Sequence, residues 1–63
     1  MIAESSRLLL VEDDLTLGKM VDDFLTGHGF RVRWESNGTR ALGLIDSNNF
    51  DILILKLDSN FFM

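Results

Sequence analysis

Residues 7–14 read RLLLVEDD, an apolar run that passes directly into three consecutive carboxylates. A short apolar run of this kind is typical of a strand that is covered on both faces in a parallel sheet. The stretch therefore predicts a buried parallel strand, β1, at residues 8–11, with Glu12, Asp13 and Asp14 at its carboxyl end. Because ligands of open α/β sheets bind beyond the carboxyl ends of the strands, these carboxylates are the first candidates for a functional site.

Downstream of β1 the spacing of apolar residues alternates between helical and strand-like periods. In chain order the predicted elements are α1 from a cap at Asp13 or Asp14 to the stop at Gly27-His28-Gly29, β2 at residues 30–35, α2 at residues 39–46 and β3 from Asp51 onward. The apolar positions that share a face are Leu17, Met20, Val21, Phe24 and Leu25 in α1, Phe30, Val32 and Trp34 in β2, and Ala41, Leu42 and Ile45 in α2. Gly18 weakens the first helix by about 1 kcal/mol relative to alanine.

Strands that alternate with helices predict an α/β fold of two right-handed βαβ units. The order β1-α1-β2-α2-β3 then gives a small parallel sheet with the strands in the order 2-1-3 and β2 at one edge. No repeat or linker divides the chain, so residues 1–63 are predicted to form a single domain.

Composition limits the classes of function. With 63 residues the chain buries only about 60% of its unfolded surface, so it is marginally stable and is expected to need a partner or a second copy. There is no cysteine, which favours a reducing cytoplasm, and no apolar run long enough for a membrane span. The net charge of −4 with scattered basic residues argues against nucleic-acid binding.

The acidic triplet and the end of the third strand together resemble the receiver domain of bacterial two-component response regulators, a flavodoxin-like fold, over about residues 6–57. Receivers carry an acidic pair after the first strand and a phosphoacceptor aspartate after the third. Lys56 follows Asp13 by 43 residues and Glu12 by 44, which is the position where the resemblance places that aspartate. The resemblance implies that Glu12 and Asp13 are the remnant of a Mg²⁺ site.

Lysine at position 56 removes the chemistry of the family. An ammonium group cannot ligate a metal while charged and cannot form an acyl phosphate. We expect Lys56 to place its charge beside Glu12 and Asp13, to disfavour Mg²⁺ and to leave a protein that has no cofactor and is not an enzyme. Two alternatives are that Lys56 extends into solvent without touching the carboxylates, and that Asp58 accepts the phosphoryl group instead.

Three functions follow from the resemblance. The first is a degenerate receiver that binds a histidine kinase, another receiver or itself without accepting phosphate. The second is an amino-terminal or engineered fragment without independent activity, since the later strands and the output domain of the family have no counterpart in these residues. The third is a residual Mg²⁺-dependent phosphoacceptor that uses Asp58. The outer edge of β3 is expected to be open and to drive self-association.

Three further features have competing interpretations. His28 is expected to bond the last carbonyls of α1 rather than to carry a phosphoryl group. Trp34, between Arg31 and Arg33, is expected to face the core rather than to stack on nucleic-acid bases. The apolar end at residues 61–63 is either a disordered scar or an anchor for another chain, and the sequence does not choose between them.

Overall fold

A computed structural model describes residues 6–47 and 49–55 of the chain. The elements in chain order are β1 (Arg7–Val11), α1 (Leu15–Gly27), β2 (Arg31–Glu35), α2 (Gly38–Ser47) and β3 (Ile52–Leu55). The three strands form one parallel sheet in the order β2-β1-β3, which confirms the predicted α/β fold and strand order. Among these residues, no helix is both long enough and apolar enough to cross a membrane.

The third strand begins one residue later than predicted. Asp51 lies in a bend before β3, where its carboxylate accepts a hydrogen bond of 2.9 Å from the backbone nitrogen of Arg7. Its own backbone nitrogen donates to the Arg7 carbonyl oxygen at 2.8 Å. Asp51 therefore fastens the start of β3 to the start of β1.

The sheet has two differently covered faces, because successive side chains of a strand point to opposite sides. On one side Leu9 and Val11 pack with Ala41 of α2 into a small buried core, against which Leu44 and Phe50 also pack. On the other side Leu10 lies opposite Trp34 in the register, and α1 packs across this pair of strands. The central strand is thus covered on both faces, as its unbroken apolar run predicts.

Helix α1 begins and ends where its local signals predict. Of the two candidate caps, Asp14 is the N-cap, and its carboxylate accepts a hydrogen bond of 2.9 Å from the backbone nitrogen of Leu17. The Nδ1 atom of His28 lies 2.8 Å from the carbonyl oxygen of Phe24, which confirms the predicted bond to the last turn. Gly29 follows with a φ of 92°, a conformation that glycine adopts without a steric penalty.

The prediction that the apolar residues of each helix together face the core is wrong in part. Met20 and Phe24 of α1 are 63% and 64% exposed, and Leu42 and Ile45 of α2 are 66% and 40% exposed. Helix α1 packs mainly on β1 and β2, and its exposed Met20 and Phe24 line a groove beside Ile54 of β3. In α2 the residue that packs beside Ala41 is Leu44, which was not among the apolar positions predicted to share its face.

Candidate functional site

Glu12 is the first residue after β1 and is completely buried. Its Oε2 atom accepts a hydrogen bond of 2.9 Å from the backbone nitrogen of Asp14. Its backbone nitrogen donates to the carbonyl oxygen of Glu35 at 3.2 Å, and its carbonyl oxygen accepts from Nε1 of Trp34 at 3.0 Å. Backbone and side chain are therefore both held, which gives this carboxylate a defined position at the carboxyl end of the central strand.

The three carboxylates of the triplet have separate environments. Glu12 is buried, Asp13 is exposed beside it, and Asp14 caps α1. Asp14 is therefore used as a helix cap, and Glu12 and Asp13 stay the candidate site residues that the resemblance implies. Their arrangement offers oxygen ligands from one buried and one exposed side chain.

A second buried carboxylate lies next to this pair. Glu35, the last residue of β2, is 8% exposed and lies opposite Val11 in the register. Its Oε2 atom accepts a hydrogen bond of 3.0 Å from the backbone nitrogen of Asn37 and lies 3.8 Å from Nη1 of Arg40. Glu35 alternates with the apolar residues of β2 as Arg31 and Arg33 do, yet it is buried, because its carboxylate bonds the backbone of the turn into α2.

The indole of Trp34 connects the strand end to α1. It donates to the carbonyl oxygen of Glu12 and lies so close to Gly18 that a Cβ atom at residue 18 would overlap the ring. Gly18 is accordingly the buried residue of α1, although the sequence marked it only as a weakness of that helix. Trp34 is partly buried against the helix, which is the predicted core arrangement.

Several predicted site residues lie outside the described residues. Lys56 and Asp58 are among them, so the predicted pairing of Lys56 with Glu12 and Asp13 and the acceptor role of Asp58 stay predictions. The apolar end at residues 61–63 lies outside as well.

The donor set can be compared with the ligands that Mg²⁺ prefers. Magnesium is commonly held by one or two carboxylates together with water and substrate oxygens. Glu12 and Asp13 supply such a pair, but one oxygen of Glu12 already accepts a backbone hydrogen bond. Within residues 6–47 and 49–55, no group of three or more His, Asp or Glu side chains is placed to hold a metal ion. Of the ligands that a magnesium site needs, the described residues therefore supply only the pair of carboxylates at Glu12 and Asp13.

Comparison with known proteins gives relatives that are named as regulators. The chain is 42% identical over 50 residues to a probable transcriptional regulator ycf29 of Pyropia yezoensis, which covers 79% of this chain and 22% of that protein. It is 33% identical over 51 residues to the uncharacterized transcriptional regulatory protein YbdJ of Bacillus subtilis, which covers 81% of this chain and 23% of that protein.

A second Bacillus subtilis protein, the uncharacterized transcriptional regulatory protein YcbL, is 33% identical over 49 residues, covering 78% of this chain and 22% of that protein. No family model and no solved structure matches the chain. The chain thus spans less than a quarter of the length of each of these relatives. It is similar to part of proteins that are named transcriptional regulators.

Proposed function

We propose that this chain is a receiver-like interaction module of two-component signalling that binds a protein partner without accepting a phosphoryl group. The observation that carries the proposal is the buried Glu12 beside the exposed Asp13 at the carboxyl end of a central parallel strand. The relatives named transcriptional regulators support a regulatory context. Lys56 stands in the sequence where the resemblance expects the acceptor aspartate.

A lysine at residue 56 is compatible with binding a protein partner but not with accepting a phosphoryl group. An aspartyl phosphate forms when a carboxylate oxygen attacks phosphorus, and a lysine ammonium offers neither that oxygen nor a lone pair. A positive charge near Glu12 and Asp13 would instead balance the acidic strand end without a metal ion. The proposed module therefore keeps the acidic residues at the end of β1 but cannot form an aspartyl phosphate at residue 56.

An apolar groove between α1 and β3 supports the binding of another protein. It has a volume of about 470 Å³ and is lined by Leu17, Met20, Val21, Phe24, Leu25 and Ile54. Among the described residues β3 pairs only with β1, and its Leu53 and Leu55 are each 45% exposed on the opposite face. Exposed apolar surface beside a strand edge favours association with a further strand or helix.

Self-association is the form of binding that can be tested without an identified kinase. Sedimentation velocity over a range of micromolar concentrations should show a dimer or a larger species. Leu53→Lys should weaken this species by placing a charge beside the open edge, whereas Thr16→Lys, an added charge on an exposed part of α1, should not. A folded chain that stays monomeric over this range would overturn the proposal of self-association.

A second candidate function is favoured because the chain covers less than a quarter of the length of each relative. These residues would then be one segment of a longer transcriptional regulator, whose activity resides largely in other segments. Mass analysis of the protein isolated from its native cells tests this directly. A mass near that of the 63-residue chain, 7.2 kDa, argues for the independent module, and a several-fold larger mass argues for the segment.

A further inference from the structure

Arginines are concentrated on the side of the sheet that carries α2, although the chain has a net charge of −4. Arg31 lies opposite Arg7 in the register and Arg33 lies opposite Leu9, so all three point to the side where Leu9 packs on α2. Arg40 is part of α2 itself. Four of the five basic residues in the described part of the chain thus border one side of the molecule.

These arginines line a groove along β2. Arg7, Arg31 and Arg33 border a cavity of about 240 Å³ together with Leu44 and Phe50. Arg33 and Leu44 also line the next cavity, of about 320 Å³, together with Arg40 and the buried Glu35, whose carboxylate faces Arg40. The two cavities therefore form one surface, which we call the arginine groove.

The guanidinium groups of the groove differ in what they already bind. The Arg7 guanidinium lies 5.4 Å from the centre of the Phe50 ring, and Arg40 lies 3.8 Å from Glu35. Arg31 and Arg33 are exposed, and within residues 6–47 and 49–55 neither side chain has a hydrogen-bond or ion-pair partner. Two adjacent same-side guanidinium groups are therefore available to a ligand.

We propose that the arginine groove binds an extended, acidic protein segment whose carboxylates stand at alternate positions. Arg31 and Arg33 are two residues apart, so they lie about 6.6 Å apart along the strand, which is also the spacing of alternate side chains in an added strand. Among the described residues β2 pairs only with β1, so its outer edge can accept such a segment. The planar guanidinium fork binds carboxylates through two parallel hydrogen bonds.

The observations favour a protein over a nucleic acid. Binding to a phosphate backbone gains affinity from many neutralised phosphates, whereas this groove offers two unengaged arginines on an acidic chain. Base stacking needs an open aromatic face, but the Trp34 ring packs against Gly18 on the opposite side of the sheet. The Phe50 ring, which lines the groove, already has the Arg7 guanidinium over it at 5.4 Å. This inference stands independently of Lys56 and of the proposed receiver-like role.

The test compares two synthetic peptides of equal composition, one alternating glutamate with threonine and one with its glutamates in a single block. Amide chemical shifts of the ¹⁵N-labelled full chain report where each peptide binds. The alternating peptide should bind more tightly and should shift residues 31–35. Arg33→Glu should weaken its binding by about tenfold or more, because a charge-assisted pair is replaced by repulsion.

Lys19→Glu is the matched control, since it makes the same charge change on exposed α1, where Lys19 pairs with Asp23. It should change the affinity by less than about twofold. Arg33→Gln, which removes the charge without reversing it, replaces Arg33→Glu if circular dichroism shows that the reversed variant does not fold. Equal loss in the Lys19 variant, equal binding of both peptides, no binding, or tighter binding of an oligonucleotide would each overturn the proposal.

Discussion

At the scale of single residues, Gly18 shows how packing reverses a local preference. Alanine is a better helix former than glycine by about 1 kcal/mol, so helix propensity alone predicts that Gly18→Ala stabilises the chain. A Cβ atom at residue 18 would overlap the Trp34 indole, however, and overpacking in a folded interior costs about 1–3 kcal/mol. The close approach of the indole therefore determines the residue type at this position.

We expect Gly18→Ala to lower the free energy of unfolding by about 1–3 kcal/mol, measured by urea denaturation. The matched control is Gly43→Ala in α2, where an added Cβ meets no atom within 4 Å. That variant should gain about 0.5–1 kcal/mol through helix propensity alone. Equal stabilisation in both variants would show that the Trp34 ring leaves room for a Cβ atom at residue 18.

Trp34 also reports on the acidic strand end, because its Nε1 atom donates to the carbonyl oxygen of Glu12. If Lys56 supplies the positive charge at this site, millimolar Mg²⁺ should leave the tryptophan fluorescence of the natural chain unchanged. Lys56→Gln should then produce a saturable response to Mg²⁺, which a further Glu12→Gln change should remove. A response of the natural chain at the same concentrations would contradict the internal charge.

Contacts between residues close together in the chain were predictable from the sequence. Contacts between residues far apart in the chain were not. Asp14 caps α1 and His28 bonds its last turn as predicted, since both contacts lie within four residues along the chain. The contact of Gly18 with Trp34 joins different elements, and no local pattern announces it. Glu35 follows the charged period of β2, yet the turn at Asn37 buries its carboxylate.

At the scale of elements, the apolar face of α1 divides into a packed half and an open half. Leu17 is partly buried toward the sheet, whereas Met20 is 63% exposed. The periodicity predicted both to face the sheet, because it gives the angular position of a side chain without the width of the surface beneath it. The strand order was predictable, because right-handed crossovers leave few arrangements of three parallel strands.

This division predicts different costs for two truncations in α1. Leu17→Ala should lower the free energy of unfolding by about 1–2 kcal/mol, since it removes partly buried apolar volume. Met20→Ala should change it by less than about 0.5 kcal/mol when measured at a concentration where the chain is monomeric. Urea denaturation of both variants measures this difference, and equal costs would mean that Met20 is covered in the folded chain.

At the scale of the whole molecule, the folded chain combines a small core with a buried carboxylate, Glu12, at the end of its central strand. The fully packed apolar residues of the described part are Leu8, Leu9, Leu10, Val11 and Ala41. Four of these five belong to the central strand that also carries Glu12, so the same element supplies the core and positions the acidic residues. Partner binding is the role that we propose for the remaining apolar surface.

Intact mass spectrometry tests directly whether this chain binds a partner without accepting a phosphoryl group. The purified chain is incubated with Mg²⁺ and acetyl phosphate beside a phosphorylatable receiver as the positive control. We predict that the receiver gains about 80 Da while this chain keeps its mass, because Lys56 cannot form an acyl phosphate. A gain of about 80 Da on this chain that Asp58→Asn abolishes would contradict the proposed non-reacting module and identify Asp58 as a working phosphoacceptor.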